Sequence, residues 1–454
     1  MNRHPVLQTV VVGGGPAGSA LLTAASKLGR LGELAQAGLA VIDRNERIGA
    51  GKLGRYAISS DSTAETFLTS IKDSSFPSLS ALASHGAARQ ISGHIGDLGV
   101  PLTKVGDFLD VVGDRLHALV EGAGGSVLTG QEVLRADRTA QGLWKTRIRD
   151  RATGSEAEIL SRMLVIATGG HQPLSQLRGE YVAGVPLADR YEDKLVQSDE
   201  VLTLSGLEMV RSRIAGRARA RIAIVGGSTS AVTAANKLLK GEPALELAEG
   251  SVTLLHRRPL RPFYPSASAA LAEGYTDFGP QDICPVSGFV YRLAGFRLEA
   301  RELVMKALGI GGRQNDPRFR LHRISGADDD EAVAILDRAD LIVAALGYRP
   351  HALPLFDCGG QPIALAADAP GRPAMVDPEC RVVGADGEPI PDLFGIGLAA
   401  GFVPHGDLGG EPSFSGQANG LWLWQNGVGF RIVEQLLAQR IRRPAPLPIA
   451  RAVA

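Results

Sequence analysis

Residues 9–18 read Thr9-Val10-Val11-Val12-Gly13-Gly14-Gly15-Pro16-Ala17-Gly18. A β-branched run meets a glycine cluster and then an alanine-leucine stretch from Ser19 toward Leu28, so the order is strand, turn, helix. Leu39 to Ile42 supplies a second strand, and Asp43 ends it. Strand, GxGxxG, helix, strand and acid form the dinucleotide-binding fingerprint, in which each glycine has its own task. Gly13 permits the tight turn, Gly15 lets backbone approach a pyrophosphate, and Gly18 lets the helix close on the strand. Pro16 and Ala17 open a helix whose free N–H groups favour an anion. Asp43 is placed to accept from ribose hydroxyls. A glycine turn in an unrelated α/β fold is the competing reading, and the flanking strands and the acid disfavour it.

Working outward, a second unit of the same kind starts near Arg221: Ile222-Ala223-Ile224-Val225, then Gly226-Gly227-Ser228-Thr229-Ser230-Ala231, a helix through Leu239, and Val252 to Leu255. Two nucleotide folds in one chain imply two nucleotides. This match is looser, because Ser228 and Ala231 replace the second and third glycines. Its second strand ends on His256-Arg257-Arg258 rather than on an acid, and cations there suit a 2′-phosphate, so the sequence favours NADPH over NADH. A solvated basic loop is the alternative. Two further buried-type strands each end on a glycine turn: Leu164 to Ala167 before Thr168-Gly169-Gly170, and Leu341 to Leu346 before Gly347-Tyr348. They read as crossings between two interleaved units. Asp392 to Gly397 adds a strand, followed by a loop from Pro404 to Gly410 and then by Gly416-Gln417-Ala418-Asn419, which reads as opening an amphipathic helix toward Leu437. The tail from Arg442 has no periodicity and reads as lying outside the core.

The composition agrees. At roughly 100–200 residues per domain, 454 residues predict two to four folding units. Hydrophobic residues at 44% and charged residues at 21% fit a globular protein. Forty-eight basic residues balance 48 acidic ones, so no global field draws nucleic acid or a membrane surface. No segment has the apolar length of a membrane span, and none of the residue groupings suggests a metal site. The 3 cysteines, Cys284, Cys358 and Cys380, stand far apart with no CxxC, against a disulfide framework or dithiol centre and in keeping with a reducing, cytoplasmic location. Whether the chain self-associates is left open.

Taken in order, Gly13 to Gly18 with Asp43, the Ala167-Thr168-Gly169 turn, the Gly226 to Ala231 unit, the Leu346-Gly347-Tyr348 turn and the Asp392 to Gly397 strand resemble the two-dinucleotide-binding-domain flavoproteins. The resemblance implies an α/β fold of two Rossmann-like domains, with an NAD(P)H domain inserted in an FAD domain. The expected boundaries are 1–195, 196–348 and 349–454. Without paired cysteines the chain departs from that superfamily's disulfide reductases. Residues 257–278, with Pro262-Phe263-Tyr264-Pro265 and Gly274-Tyr275-Thr276-Asp277-Phe278, resemble the class B NADPH-dependent flavin monooxygenases, and the N-hydroxylating branch is favoured. The FxGxxxHxxxW/Y box of the Baeyer–Villiger branch is missing from Tyr191 to Ser198, which disfavours ketone oxygenation.

That resemblance implies FAD and NADPH as cofactors, with dioxygen and a small molecule as partners. NADPH reduces the flavin, and a C4a-hydroperoxyflavin transfers oxygen to a soft nucleophile such as an amine nitrogen. Flavin-binding expectations fall on the first fingerprint, Thr168, Gly169, Gly347, Tyr348, Gly397 and Gln417. Lys52, Tyr56 and His405 are the expected catalytic groups, on two loops that face the flavin. Asp61, Asp407 and Glu411 are expected to hold a cationic substrate. Each has a simpler reading: Asp61 or Ser62 as a helix cap, His405 as a loop hydrogen-bonder, Asp407 and Glu411 as solvated carboxylates. Two rival functions remain, an NAD(P)H:acceptor reductase serving a quinone or protein, and a non-catalytic nucleotide sensor.

Overall fold

A computed structural model of the chain describes residues 6–369, 374–398 and 400–441, so the expectation for the tail from Arg442 falls outside the described residues. The strand Val6–Val12 buries its last five residues and lies parallel to Leu39–Ile42 on one side and to Glu156–Ile166 on the other. A strand buried on both faces reads as a continuous apolar run rather than an alternating one, as Thr9 to Val12 do. Ser126–Leu128 extends the sheet beyond Leu39–Ile42. On the far side Glu156–Ile166 changes partner along its length. Its first half pairs antiparallel with Trp144–Asp150, and its last residues pair parallel with Pro389–Gly395. Gln131–Arg138 and Leu355–Phe356 complete that edge of a nine-stranded sheet.

Between Pro16 and Lys27 the helix after the first turn buries every residue from Ala17 to Ser26. Small side chains make that possible, and the C-terminal helix Gly429–Ile441 lies against it, with a Cβ on Gly429 only 2.6 Å from the Cβ of Ala24. The long helix Leu102–Gly122 carries the loop after Asp43. A Cβ on Gly113 would stand 2.0 Å from the Ile48 carbonyl oxygen, so that glycine lets the loop cross the helix and fixes where Lys52 and Tyr56 emerge.

A second, five-stranded sheet is parallel throughout, in the order Leu195–Gln197, Leu341–Ala344, Ile222–Val225, Val252–His256, Phe319–Arg323. The helices Thr229–Lys240, Leu298–Ala307 and Asp330–Arg338 follow its strands. The chain leaves and re-enters the first unit along adjacent paths, since Gly170–His171 pairs antiparallel with Arg349–Pro350. Between Val252–His256 and Phe319–Arg323 a mostly irregular segment builds its own small core around Tyr264, Tyr275 and Tyr291. That segment ties back to the first unit. The buried Glu411 carboxylate accepts from the Leu293 N–H at 3.0 Å and the Ala294 N–H at 2.8 Å, and Ser413 Oγ donates to Asp282 at 2.6 Å.

Two local expectations are corrected. The final helix does not open at Gly416: residues 415–420 are non-helical and helical structure starts at Leu421, passing through a π-turn at Trp424–Val428 before Gly429–Ile441. The Ala418 N–H is engaged by the Phe402 carbonyl at 2.9 Å and Gly420 sits at φ 161°, so the backbone there is committed to a loop pairing. Nor do Asp61 and Ser62 cap the helix Ala64–Lys72; Thr63 is its N-cap residue and no side chain caps it.

Candidate active site

At the first glycine turn the geometry separates the three glycines. Gly13 has φ +103°, and a Cβ there would fall 2.5 Å from the Ala167 carbonyl oxygen. At Gly18 a Cβ would meet the Gly13 carbonyl oxygen at 1.9 Å. Gly15 is different, because the nearest atom to its added Cβ is Gly51 Cα at 3.6 Å. The space there is closed to nothing in the protein, and it opens on a cleft lined by Gly13, Gly15, Pro16, Ala17 and Asp43. A dinucleotide's pyrophosphate fits such a cradle of bare backbone at a helix N-terminus. Arg44 and Lys52 also line it, beside Asp43 and Glu132.

Asp43 is buried and lines the same cleft. Its Oδ2 accepts from the Gly14 N–H at 2.6 Å, and its Oδ1 accepts from the Asn45 N–H at 2.7 Å and the Asn45 amide nitrogen at 2.8 Å. The carboxylate therefore braces the turn, with both lone pairs of Oδ1 engaged, and Oδ2 keeps one for a ribose hydroxyl. Thr168 and Gly169 form the opposite wall, with Thr168 Oγ1 donating to the His351 carbonyl at 2.6 Å. The His351 and His171 rings meet edge to face at 4.9 Å. Burial first, then each other's neighbourhood and the cations Arg44 and Lys52, hold the His351 imidazole below its usual pKa; burial and Lys52 do the same for His171. Gly397, at φ +110°, brings the end of Pro389–Gly395 against Ala17.

Of the expected catalytic groups, Lys52 and Tyr56 line the cleft. The Tyr56 hydroxyl donates to Asp199 Oδ1 at 2.5 Å, and the Tyr348 hydroxyl donates to the same oxygen at 2.7 Å. Burial, reinforced by the Asp199 carboxylate, pushes the Tyr56 phenol far above its usual range; burial, the Tyr56 phenol and Asp199 do so for Tyr348. Both therefore stay protonated donors. Gln172 holds Asp199 in place by accepting its N–H at 2.9 Å, and reaches the Gly347 carbonyl at 3.3 Å. The two crossings, the Lys52–Tyr56 loop and the second sheet thus meet at Asp199.

The second expected loop does not line this cleft. Its wall on that side is Leu398 and Trp424. His405 lies with its ring 6.0 Å from that of Phe402, Asp407 is exposed, Gln417 is exposed beside Gly401, and Glu411 is buried on the Leu293 and Ala294 amides described above. Asp61 lines a separate cavity with Arg297 and Arg301. The walls around its carboxyl push its pKa upward while Arg297 opposes, and its exposed outer side limits that push. Sequence reasoning missed Asp199, Gln172, His351, Asn45 and the cleft position of Trp424.

At the second turn, Gly226 has φ +138° and Gly227 lies against the His256 Cβ, while Ser228 Oγ donates to the Ala345 carbonyl at 3.4 Å. Thr229 and Ser230 start the helix. His256 is buried, its Nδ1 2.8 Å from the Arg258 carbonyl oxygen, and burial lowers its pKa. Arg257 donates to the Tyr181 carbonyl. Arg258 is exposed and its guanidinium makes no hydrogen bond or ion pair among the described residues, so it is free to take a 2′-phosphate.

Residues 7–279 match the family model described as pyridine nucleotide-disulphide oxidoreductase. Across 447 residues the chain is 32% identical to the CMP-5′-(3-aminopropyl)phosphonate hydroxylase of Streptomyces rubellomurinus, covering 95% of this chain and 97% of that one. The chain belongs to the pyridine nucleotide-disulphide oxidoreductase family. As a member it is an FAD-dependent oxidoreductase with the two-nucleotide α/β fold. Solved structures share that fold. The FAD-bound cadaverine monooxygenase of Erwinia amylovora superposes with a TM-score of 0.57 at 14% identity, covering 99% of this chain and 97% of that one. The L-lysine 6-monooxygenase of Pseudomonas syringae gives 0.54 at 16%, covering 96% and 100%. No cysteine lines the cleft at the first glycine turn: Cys284 and Cys380 are buried elsewhere and Cys358 is exposed.

Proposed function

We propose that the protein is a monooxygenase that uses FAD, NADPH and dioxygen to N-hydroxylate a primary amine. The observation that carries this reading is the full-length likeness to a hydroxylase whose substrate bears an aminopropyl group, joined to a flavin cleft without a thiol. FAD, once reduced by NADPH, supplies oxygen activation and transfer to a soft nucleophile. The chain's own residues bind, orient and exclude water. The first turn holds the pyrophosphate, Asp43 the ribose, and Thr168 and Gly169 the far wall. Arg258, with Arg257 and His256 beside it, takes the NADPH 2′-phosphate. Tyr56 and Tyr348, held protonated on Asp199, present a fixed polar edge where the two units meet, and Trp424 and Leu398 cover the cleft against water. Residues 1–195 and 349–454 form the FAD unit in this reading and 196–348 the NADPH unit. Three unpaired thiols suit a reducing compartment, and among the described residues no helix is long and apolar enough to cross a membrane.

The reading is tested by oxygen uptake. FAD-loaded protein should consume dioxygen in step with NADPH, faster with a primary amine, and yield a hydroxylamine. Rapid anaerobic reduction of a quinone or dye, with little oxygen use and no hydroxylamine, would instead make it a reductase.

A further inference from the structure

A second cavity, of about 470 Å³, opens between the Asp61–Thr66 stretch and the irregular Phe263–Glu302 segment. Its two arginines are not equivalent. Arg301 is used up: its guanidinium donates to the Phe263 carbonyl at 2.8 Å and to Glu273 at 2.9 Å, and lies 4.6 Å from the Tyr264 ring centroid. Arg297 stacks on the Phe263 ring at 4.0 Å and donates once, to the Arg292 carbonyl at 2.7 Å. Among the described residues no carboxylate forms an ion pair with it, and most of its five N–H donors have no acceptor. Burial lowers its pKa, opposed first by Asp61 on the same cavity wall and then by Glu411, with the like charge of Arg292 adding to the lowering. Tyr264, also on the cavity wall, is buried with a hydroxyl that makes no hydrogen bond of proper geometry despite nearby Glu273. Tyr264 is buried and Arg297 half-buried, and polar groups so placed usually find partners.

We propose that this cavity is the subsite for a phosphoryl group, phosphate ester or phosphonate, carried by the amine substrate, with Arg297 as its anchor. The inference rests on the hydroxylase reading and deepens it. An aromatic-backed guanidinium with several free donors suits a group with three acceptor oxygens, and the cavity has room beyond what a carboxylate fills. The two sites are neighbours along the chain: Tyr56 lines the first cleft, Asp61 lines this cavity, and five residues span at most about 18 Å. The proposal requires the substrate's amine to lie beside the flavin while its phosphoryl group sits on Arg297.

The test is equilibrium binding to FAD-loaded protein without turnover, using CMP-5′-(3-aminopropyl)phosphonate, cadaverine as an amine lacking phosphorus, and NADP⁺. Wild type should bind the phosphonate at least about tenfold more tightly than cadaverine. Arg297→Met should erase that preference, weakening the phosphonate by about tenfold or more, while FAD content and NADP⁺ affinity stay as in wild type. If the methionine variant does not accumulate, Arg297→Lys, which keeps the charge and loses the fork, should still weaken the phosphonate several-fold. Equal phosphonate binding in variant and wild type overturns the proposal, as does no preference in wild type. An equal loss of NADP⁺ also overturns it, since Arg297 would then serve the coenzyme. Because binding is read without catalysis, a protein that binds the phosphonate through Arg297 yet makes no hydroxylamine contradicts the hydroxylase reading alone.

Discussion

The two glycine turns share a backbone and part company at their third position and at the residues after their second strands. At the first, a Cβ on Gly13 would fall 2.5 Å from the Ala167 carbonyl; at the second, a Cβ on Gly226 would fall 2.4 Å from the Ala345 carbonyl. Both turns are thus pinned against the next strand's end, and that constraint is the fold's. Five residues on, Gly18 has no room for a methyl, whereas Ala231 occupies the matching position fully buried. The first helix is clamped to its turn and the second is not. In the proposed reading, ligand choice is set further along, by Asp43 in one unit and by the exposed Arg258 in the other.

The comparison breaks most visibly at the third position. Gly18→Ala should cost about 3 kcal/mol or more, because the methyl meets backbone at the turn, and should empty the flavin site. Ala231→Gly should cost less, about 0.5–1 kcal/mol through helix entropy and about 0.8 kcal/mol for the buried methyl. Thermal unfolding with bound-flavin content checks both, and similar small losses would show that the two helices are clamped alike. Gly15→Val sharpens the point. Since the protein leaves its Cβ free, the variant should fold with an unfolding temperature close to wild type yet retain little FAD. A variant that keeps FAD at wild-type affinity would remove the pyrophosphate from that cradle.

A smaller effect is expected at the second unit's basic end. Loss of a charge-assisted hydrogen bond, about 1.5–3 kcal/mol, translates to about tenfold or more in the KM for NADPH in Arg258→Ala, with NADH nearly unchanged. Equal losses for both coenzymes would show a structural role. The smallest is a pH effect confined to the second unit. Asp329 caps the helix Asp330–Arg338, and N–H donors from Ser325 and Ala332, outweighing burial and aided by His322, hold its carboxyl well below the ordinary value of 3.8. Its folded pKa lies below its unfolded one, so its contribution is complete above the ordinary value and fades as pH falls beneath it. The stability gap between wild type and Asp329→Asn should narrow as pH drops from about 5 toward 2; a constant gap would mean the carboxylate's charge contributes nothing.

How far the sequence reaches follows from chain distance. Both turns, their strands and the crossings were legible because each is a local pattern within ten or so residues. Asp199 was not, because it meets Tyr56 and Tyr348 across separations of 143 and 149 residues. The Gly416 helix start was misread because its residues look like a cap, but the Phe402 carbonyl, from the preceding loop, claims the Ala418 N–H. Glu411 looked like a solvated or substrate-binding acid, and its burial on the Leu293 and Ala294 amides depends on a segment more than a hundred residues earlier.

The most direct test is isotopic. FAD-loaded protein is supplied with NADPH, isotopically heavy dioxygen and CMP-5′-(3-aminopropyl)phosphonate, and the product is weighed by mass spectrometry. The account predicts a hydroxylamine carrying a single heavy oxygen atom at nitrogen, formed in proportion to NADPH consumed. NADPH oxidation with unlabelled, unchanged amine, across this and other primary amines, would contradict it.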